Sequence, residues 1–204
     1  MISNLSIRSI LAIPAVYNLF SRIVGGESGR RSFVENYVKA KSGDRVLDIG
    51  CGPGSVLEYL PDVDYLGFDM SPQYIEAAKE RFGNRGKFYC SRVSQETAGE
   101  SCFDIVIASG VVHHLDDNEA IQLFELAKTT LKPGGRLVTL DGCYVEGQSF
   151  IAKYMLSKDR GEFVRPLEAY KTIAHKVFQD VKMTIRHDLL KPIPYTHLIM
   201  ECTR

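Results

Sequence analysis

The chain has 204 residues, of which 45% are hydrophobic, so it can bury one substantial core but is short for two catalytic domains. Lysine and arginine together number 25, as do aspartate and glutamate, and this balance gives no reason to expect a nucleic-acid partner. Five cysteines without a CxxC pair or a cysteine–histidine cluster indicate reduced thiols, a cytoplasmic location and no metal site. No apolar run reaches the roughly 18 residues that a membrane-spanning helix needs.

The first part of the chain holds an apolar stretch from Ile10 to Phe20 that follows Arg8, as in the core of a signal peptide. Pro14 and Tyr17 interrupt this stretch, and no small-residue cleavage site follows it. We therefore expect the stretch to remain part of the working protein and not to direct secretion.

Residues 1–41 are expected to form a helical cap on the domain. The segment from Ile10 to Val24 could close over a site as a lid or could simply pack on the domain. Apolar residues then recur at helical spacing between Phe33 and Val38. Residues 25–29, which read Gly-Gly-Glu-Ser-Gly, indicate a linker between these two patterns.

Short apolar runs bounded by turn residues follow from Arg45 onwards, and each is separated from the next by enough residues for a crossover helix. This alternation predicts a parallel sheet, and right-handed crossovers place helices on both of its faces. The runs cover residues 45–49, 64–69, 87–90, 103–109 and 136–141.

Two of the crossover helices carry recognisable boundary residues. Ser71 and Pro72 supply a cap and a first turn for a helix over residues 73–82. Asp117 is predicted to cap a second helix, which runs to Leu131 and ends before a Pro-Gly-Gly turn.

The C-terminal part of the chain breaks the alternation. Val181–His187 and His197–Cys202 have strand-like patterns, and the short connection between them implies antiparallel pairing. The sequence thus predicts an α/β fold with a doubly wound, mostly parallel seven-stranded sheet whose last strand is antiparallel. Within this single domain we distinguish a cofactor-binding core over 45–141, a helical insertion over the site at 142–179 and C-terminal antiparallel strands at 180–204.

A glycine-rich turn follows the first strand, where the residues from Asp48 to Gly54 read Asp-Ile-Gly-Cys-Gly-Pro-Gly and are expected to open a helix. Gly50 and Gly52 remove side chains where the backbone must turn sharply beside a ligand, and a helix N-terminus offers free N–H groups. This arrangement predicts a nucleotide-like ligand at the carboxyl end of the strand. Ser55 stands where the dinucleotide fingerprint needs its third glycine, which disfavours a dehydrogenase.

Two carboxylates narrow the class of ligand. Asp69 ends the second strand about 20 residues beyond the turn, where an acidic side chain accepts hydrogen bonds from a ribose diol. Asp48 lies in the turn itself, where its charge would repel a pyrophosphate but attract a cationic ligand directly or through water. Either aspartate alone could be a helix cap or a turn residue, but the pair beside the glycines favours a cationic nucleoside.

Four stretches of the chain resemble the successive motifs of the class I S-adenosylmethionine-dependent methyltransferases, namely Val46–Gly54, Gly67–Ser71, Phe103–Leu115 and Leu131–Leu137. The resemblance spans Arg45 to Asp141, and it is specific because the motifs occur in combination. It implies S-adenosyl-L-methionine as the cofactor. It also implies a seven-stranded sheet with a reversed last strand, which agrees with the prediction from the strand pattern.

The resemblance further implies roles for individual residues. Gly50 and Gly52 would border the methionine part of the cofactor, Asp69 would hold the ribose hydroxyls and Met70 would cover the adenine. Many members place an adenine-binding aspartate near Ser91–Val93, which this chain lacks, so backbone groups or the apolar face of Val93 would have to hold the adenine. The full predicted cofactor-binding set is Asp48, Gly50, Cys51, Gly52, Asp69, Met70, Arg92, Val93, Ser109 and Gly110.

Three residues are candidates for contact with a methyl acceptor. Methyl transfer from a sulfonium needs mainly a well-placed nucleophile, so a catalytic base is optional. His113 and His114, after the fourth strand, could remove a proton from the acceptor, although such a pair can equally be a packed or capping element. Tyr144, after the fifth strand, could face the acceptor or fill the core with its hydroxyl at the rim.

These observations predict S-adenosylmethionine-dependent methyl transfer to a small, partly apolar acceptor. A nucleic-acid methyltransferase is one alternative, which the absence of a basic run and of an Asn/Asp-Pro-Pro-aromatic motif after the fourth strand disfavours. A non-catalytic S-adenosylmethionine-binding or scaffold protein is another. The intact glycines and Asp69 disfavour it, because a scaffold would not need them.

Overall fold

An eight-stranded sheet organises the chain in the computed structural model, which describes residues 26–159 and 161–204. The strand order is β3-β2-β1-β4-β5-β8-β7, and the short β6 pairs with β5 beside this path. The strands are β1 Arg45–Ile49, β2 Asp64–Asp69, β3 Gly86–Cys90, β4 Phe103–Ser109, β5 Leu131–Tyr144, β6 Arg165–Pro166, β7 Asp180–Arg186 and β8 His197–Thr203. The lid predicted at Ile10–Val24 lies outside the described residues.

Strand pairing confirms the predicted mixed sheet. β1 pairs in parallel with β2 and β4, whereas β8 runs antiparallel between β5 and β7. Three features differ from the prediction. β5 begins at Leu131 and not at Arg136, because Leu131 already pairs with Phe103 ahead of a register shift. It also ends at Tyr144 and not at Asp141, because Gly142 still pairs with His197 of β8 and Tyr144 pairs with Pro166 of β6. The two-residue β6 at Arg165 is an addition that is too short to leave a sequence pattern.

Six α-helices flank the sheet in the described part of the chain, and they are α1 Gly26–Phe33, α2 Pro72–Phe82, α3 Gln95–Ala98, α4 Asp117–Thr130, α5 Phe150–Ser157 and α6 Leu167–Val177. Ser71 caps α2 as predicted, since its hydroxyl accepts a hydrogen bond from the N–H of Tyr74. The cap of α4 was assigned to the wrong residue, because Asp116 and not Asp117 accepts the N–H of Glu119 at 2.9 Å. The Glu119 side chain bonds back to the N–H of Asp116, which completes a capping box.

Two predictions about glycine-rich segments were wrong. The expected linker at 25–29 is helical from Gly26 onwards. Gly29 packs so closely on another segment that a Cβ there would lie 2.0 Å from the carbonyl oxygen of Leu189, so this glycine serves close packing. The turn after β1 opens only the short 3₁₀ helix Leu57–Tyr59, because the chain reaches Pro61 and then β2 before a full helix can form.

Apolar side chains cover both faces of the sheet. Val46 packs on one face with α1 and α2, whereas its neighbour Leu47 packs on the other face with α4 and α6. This alternation follows from the two-residue period of a strand and confirms helices on both faces. Among the described residues, no helix has the length and apolar character needed to cross a membrane.

Candidate functional site

The turn after β1 is fastened to the end of β2. The N–H groups of Gly50 and Cys51 both donate to the carbonyl of Phe68, at 2.8 and 3.0 Å. Gly50 has a φ of 71°, and a Cβ at this position would lie 2.5 Å from a methyl group of Val111. Gly52 also has a positive φ, of 54°, but a Cβ there would meet no atom within 4 Å. The turn therefore needs glycine for its backbone shape, and it leaves open space beside Gly52 that a ligand can fill.

Asp69 joins the turns that follow the first two strands. One carboxylate oxygen accepts the N–H of Gly52 at 2.9 Å, and the other accepts the N–H of Ser71 at 2.8 Å. A carboxylate has about four acceptor positions, so these two bonds leave capacity for a ligand with a pair of hydroxyl groups. Asp69 thus holds the two turns together and can still accept hydrogen bonds from a ligand.

A cavity of about 280 Å³ opens beside Asp69 at the carboxyl ends of the strands. Its inner wall is apolar and includes Phe68, Val93 and Leu115. At its rim, Arg92 and Glu119 form a loose ion pair of 3.7 Å, and Met70 is largely exposed. An apolar slot with a carboxylate at one end can hold a flat ring system that carries a diol.

Asp48 places a buried acid beneath the turn. Only 1% of the residue is exposed, and the Tyr65 hydroxyl donates a 2.6 Å hydrogen bond to its carboxylate. Burial raises the pKa of Asp48 to about 7, the bond from Tyr65 lowers it, and the charge of Asp69 raises it further. The turn therefore lies over a group whose negative charge develops near neutral pH.

A second polar cluster lies at the ends of β4 and β5. The His113 ring contacts Asp141 through Nδ1 at 2.9 Å, and its Nε2 lies 3.5 Å from Asp159. Burial alone would lower the pKa of His113, but the hydrogen bond and charge of Asp141, together with the charge of Asp159, raise it above its ordinary value. Asp159 in turn accepts a hydrogen bond from the Tyr195 hydroxyl.

The comparisons with known sequences agree with this geometry. Residues 46–135 match the family model described as a methyltransferase domain. The phosphoethanolamine N-methyltransferase 1 of Triticum aestivum is 30% identical over 171 residues, which cover 80% of this chain and 34% of that protein. The chain spans about a third of the length of the first curated relatives that it matches.

Solved structures share the fold. A Haemonchus contortus phosphoethanolamine N-methyltransferase 2, in complex with phosphomonomethylethanolamine and S-adenosylhomocysteine, gives a TM-score of 0.74 at 18% identity over 98% of this chain and 61% of that one. A SAM-dependent methyltransferase from Archaeoglobus fulgidus gives 0.70 at 21% identity over 92% and 99% of the two chains. The chain belongs to the class I S-adenosylmethionine-dependent methyltransferases. S-adenosylmethionine is the cofactor of this family, as the sequence predicted.

The predicted cofactor-binding residues of this methyltransferase fall into three groups. Those that line the 280 Å³ cavity are Gly50, Asp69, Met70, Arg92 and Val93. Those in or beneath the glycine turn are Asp48, Cys51 and Gly52, and burial raises the pKa of the Cys51 thiol, which keeps it neutral. Those at the end of β4 are Ser109, which is half-buried, and Gly110, which is exposed.

The three residues predicted to contact the acceptor lie in different surroundings. His113 is buried in the cluster with Asp141, whereas His114 is exposed and its ring centre lies 4.4 Å from that of His113. Tyr144 is half-buried at the end of β5, where it pairs with Pro166 of β6. The structure thus places these side chains near one edge of the methyltransferase sheet but in different surroundings.

The sequence did not reveal three residues that lie close to His113 or to the turn that carries it. Asp159 and Tyr195 complete the His113 cluster, and the buried Arg165 bonds to the turn that carries both histidines. Asp141 was predicted only as the last residue of a strand, without a role in the site. No local pattern marks the other three, because each contacts the cluster from a distant segment of the methyltransferase chain.

Proposed function

We propose that this methyltransferase binds S-adenosylmethionine in the 280 Å³ cavity and transfers its methyl group to a small, partly apolar acceptor. The main support for the proposal is that Gly50 and Asp69 line the same cavity, while the buried carboxyl group of Asp48 lies beneath the glycine turn. The open space at Gly52, the free acceptor positions of Asp69 and the apolar wall at Val93 all suit this cofactor.

Each part of the site would have a distinct task. Asp69 would accept the ribose hydroxyls, Gly50 and Gly52 would border the methionine part, and Met70 and Val93 would flank the adenine. When bound, the cofactor supplies an electrophilic methyl group on a positively charged sulfur. The protein would then act mainly by holding the acceptor nucleophile in line with that group.

The acceptor would lie at the carboxyl ends of β4 and β5. A second cavity of about 220 Å³ opens beside the carboxyl end of β5 and the start of β8, lined by residues that include Gln148, Ala152 and Tyr195. Residues 142–179 would cover this side of the site. His114 has an exposed ring and would receive a proton if the acceptor must lose one, while the Tyr144 hydroxyl would face the acceptor.

The names of the relatives suggest which acceptors to test first. Proteins from Triticum aestivum that are similar to this chain are phosphoethanolamine N-methyltransferases, so small amines such as phosphoethanolamine come first. A cytoplasmic location and the absence of a nucleic-acid partner remain predictions from the composition.

Calorimetric titration with S-adenosylmethionine and with S-adenosylhomocysteine tests the proposal directly. We expect both to bind, and we expect NAD, the control for a dehydrogenase, not to bind. Transfer of a labelled methyl group to small amines, with bulk tRNA in parallel, then tests the acceptor class. Binding of NAD without either adenosyl compound would exclude the proposed cofactor, and efficient methylation of tRNA would exclude the enclosed acceptor site.

The titration of Asp48 gives a prediction about pH. Because its pKa is about 7, the carboxylate is mainly neutral below this pH and mainly charged above it. The charged form attracts the sulfonium, so we expect affinity for S-adenosylmethionine to rise about three- to tenfold between pH 6 and pH 8. The neutral thioether of S-adenosylhomocysteine should show a weaker rise. Asp48→Asn should give the two ligands the same dependence of affinity on pH. If a folded Asp48→Asn variant still shows a steeper rise for S-adenosylmethionine, another group causes the pH dependence.

A further inference from the structure

The His113 ring lies between two carboxylates that come from different parts of the chain. Asp141 of β5 accepts from the main-chain N–H of His113 at 3.2 Å and contacts its ring Nδ1 at 2.9 Å. Asp159, which follows α5, lies 3.5 Å from Nε2 on the opposite side of the ring. A neutral imidazole carries a proton on only one nitrogen, so acceptors at both nitrogens favour the doubly protonated, charged ring.

The segment after α5 packs directly on this ring. Gly161 comes so close that a Cβ there would lie 2.1 Å from Cδ2 of His113, and the Phe163 N–H donates to the His113 carbonyl at 2.9 Å. Asp159 also accepts the N–H of Gly161 at 2.8 Å. The histidine and Asp159 therefore fix the path of residues 161–163 over the end of β4.

Asp159 reaches a third segment through its other oxygen. That oxygen accepts a hydrogen bond from Tyr195, the residue that lines the 220 Å³ cavity just before β8. A Cβ on Gly142 would lie 2.4 Å from the Tyr195 hydroxyl oxygen, so this tyrosine also packs against the end of β5. One carboxylate thus connects the histidine turn, the segment after α5 and the wall of the cavity.

We propose that Asp159 is a positioning residue that acts through a protonated His113, and that together they hold residues 161–163 and Tyr195 in place as the acceptor-side wall of the site. The part of this inference that concerns the acceptor rests on the proposed function. Asp159 is not among the residues that line the 220 Å³ cavity. Its effect is to fix the shape of the cavity into which the acceptor binds.

The charged groups around His113 determine the pH range over which the protonated ring and Asp159 hold residues 161–163 and Tyr195 in place. Burial and the charge of Arg165 from β6 disfavour the protonated ring, whereas Asp141 from β5 and Asp159 favour it. Burial lowers the pKa of His197 from β8 to about 4, so this neighbour is uncharged where His113 titrates, and His114 lies beside the ring. Because the pKa of His113 is raised, the arrangement is complete below the ordinary histidine pKa and is lost as pH rises through the raised value. Acceptor binding should therefore weaken on the alkaline side of this titration.

Asp159→Asn removes the charge of Asp159 but keeps one hydrogen-bond acceptor, because the amide oxygen can still accept from Gly161 or Tyr195. Asp180→Asn is the matched control, since it removes the same charge by the same substitution from an exposed position at the start of β7, outside the proposed wall. NMR titration of the five histidine rings, assigned with single histidine variants, reports the pKa of His113 directly. We expect this pKa to fall in Asp159→Asn and to stay unchanged in Asp180→Asn.

Steady-state kinetics on the full chain then test the role in acceptor binding. In Asp159→Asn we expect KM for the acceptor to rise about tenfold at pH 7, with kcat and cofactor affinity changed less than about twofold. Tyr195→Phe should also raise this KM while it leaves the His113 titration in place, and it provides a second variant if Asp159→Asn does not fold. A His113 titration that Asp159→Asn leaves unchanged, or an equal rise in KM for Asp180→Asn, would overturn the inference. If the wild type binds no S-adenosylmethionine, the proposed function fails, but the titration still decides whether Asp159 holds His113.

Discussion

Asp69→Ala is expected to weaken binding of S-adenosylmethionine by about a hundredfold or more, because hydrogen bonds from two ribose hydroxyls to a charged acceptor contribute about 1.5 to 3 kcal/mol each. The variant also loses the bonds from the N–H groups of Gly52 and Ser71, so the turn beside the cavity becomes less well fixed. Calorimetric titration of the folded variant measures the change in affinity.

Two further variants separate the possible roles of Asp69. Asp69→Asn keeps one acceptor oxygen but loses the charge, so its loss of affinity should be smaller than that of the alanine variant. Asp62→Asn removes a carboxylate from an exposed position just before the start of β2, at the opposite end of this strand, and should leave the affinity unchanged. If folded Asp69→Ala binds the cofactor as well as the wild type does, Asp69 serves only to tie the two turns together.

The sheet could be predicted from local pattern because its central strands are buried on both faces. β1, β2 and β4 have the predicted boundaries, since each is an apolar run bounded by turn residues. The early start of β5 could not be predicted in the same way. It depends on the pairing of Leu131 with Phe103, and such a contact across the sheet leaves no mark on the residues around Leu131.

The errors at the glycine-rich segments have a related cause. A glycine can permit a positive φ, a flexible joint or a close approach, and the sequence alone does not distinguish these uses. Gly29 permits a close approach to Leu189, which is distant in the chain. The cap of α4, by contrast, could have been found, because Asp116 and Glu119 have the spacing of a capping box and Asp117 has no such partner three residues later.

The residues around the 280 Å³ cavity were more predictable than the cluster around His113. Gly50 and Asp69 stand in motifs whose spacing follows directly from the strand–turn geometry. The His113 cluster is assembled from single side chains on separate segments, such as Asp159 and Tyr195, and the contact between them depends on how the segments beside α5 and β8 pack. Residues of this kind become recognisable only when the fold is known.

Arg165 is a further residue whose side chain links segments that are distant in the sequence. Its side chain is 7% exposed and donates to the carbonyls of Val112 and Leu115, at 3.1 and 2.6 Å, which flank the turn that carries the two histidines. It also donates to the carbonyl of Phe163 and to the carboxylate of Asp117, at 2.9 and 2.8 Å. One guanidinium therefore connects β6, the histidine turn and the start of α4.

Arg165→Ala is expected to destabilise the protein by about 3 kcal/mol, because it leaves the carbonyls of Val112 and Leu115 without their donor in a largely buried position. For a chain of this size, such a loss lowers the melting temperature by roughly 6 to 12 °C, which differential scanning calorimetry can measure. Arg165→Lys should be intermediate, because an ammonium keeps the charge but cannot reproduce the planar fork of donors. Arg31→Ala is the control, since Arg31 is exposed and makes only surface contacts, at 3.7 Å from Glu35 and 5.1 Å from the ring centre of Tyr59, and it should change stability by less than about 1 kcal/mol. Equal melting temperatures for Arg165→Ala and Arg31→Ala would show that water replaces the guanidinium at the histidine turn, and that Arg165 does not hold this edge of the site together.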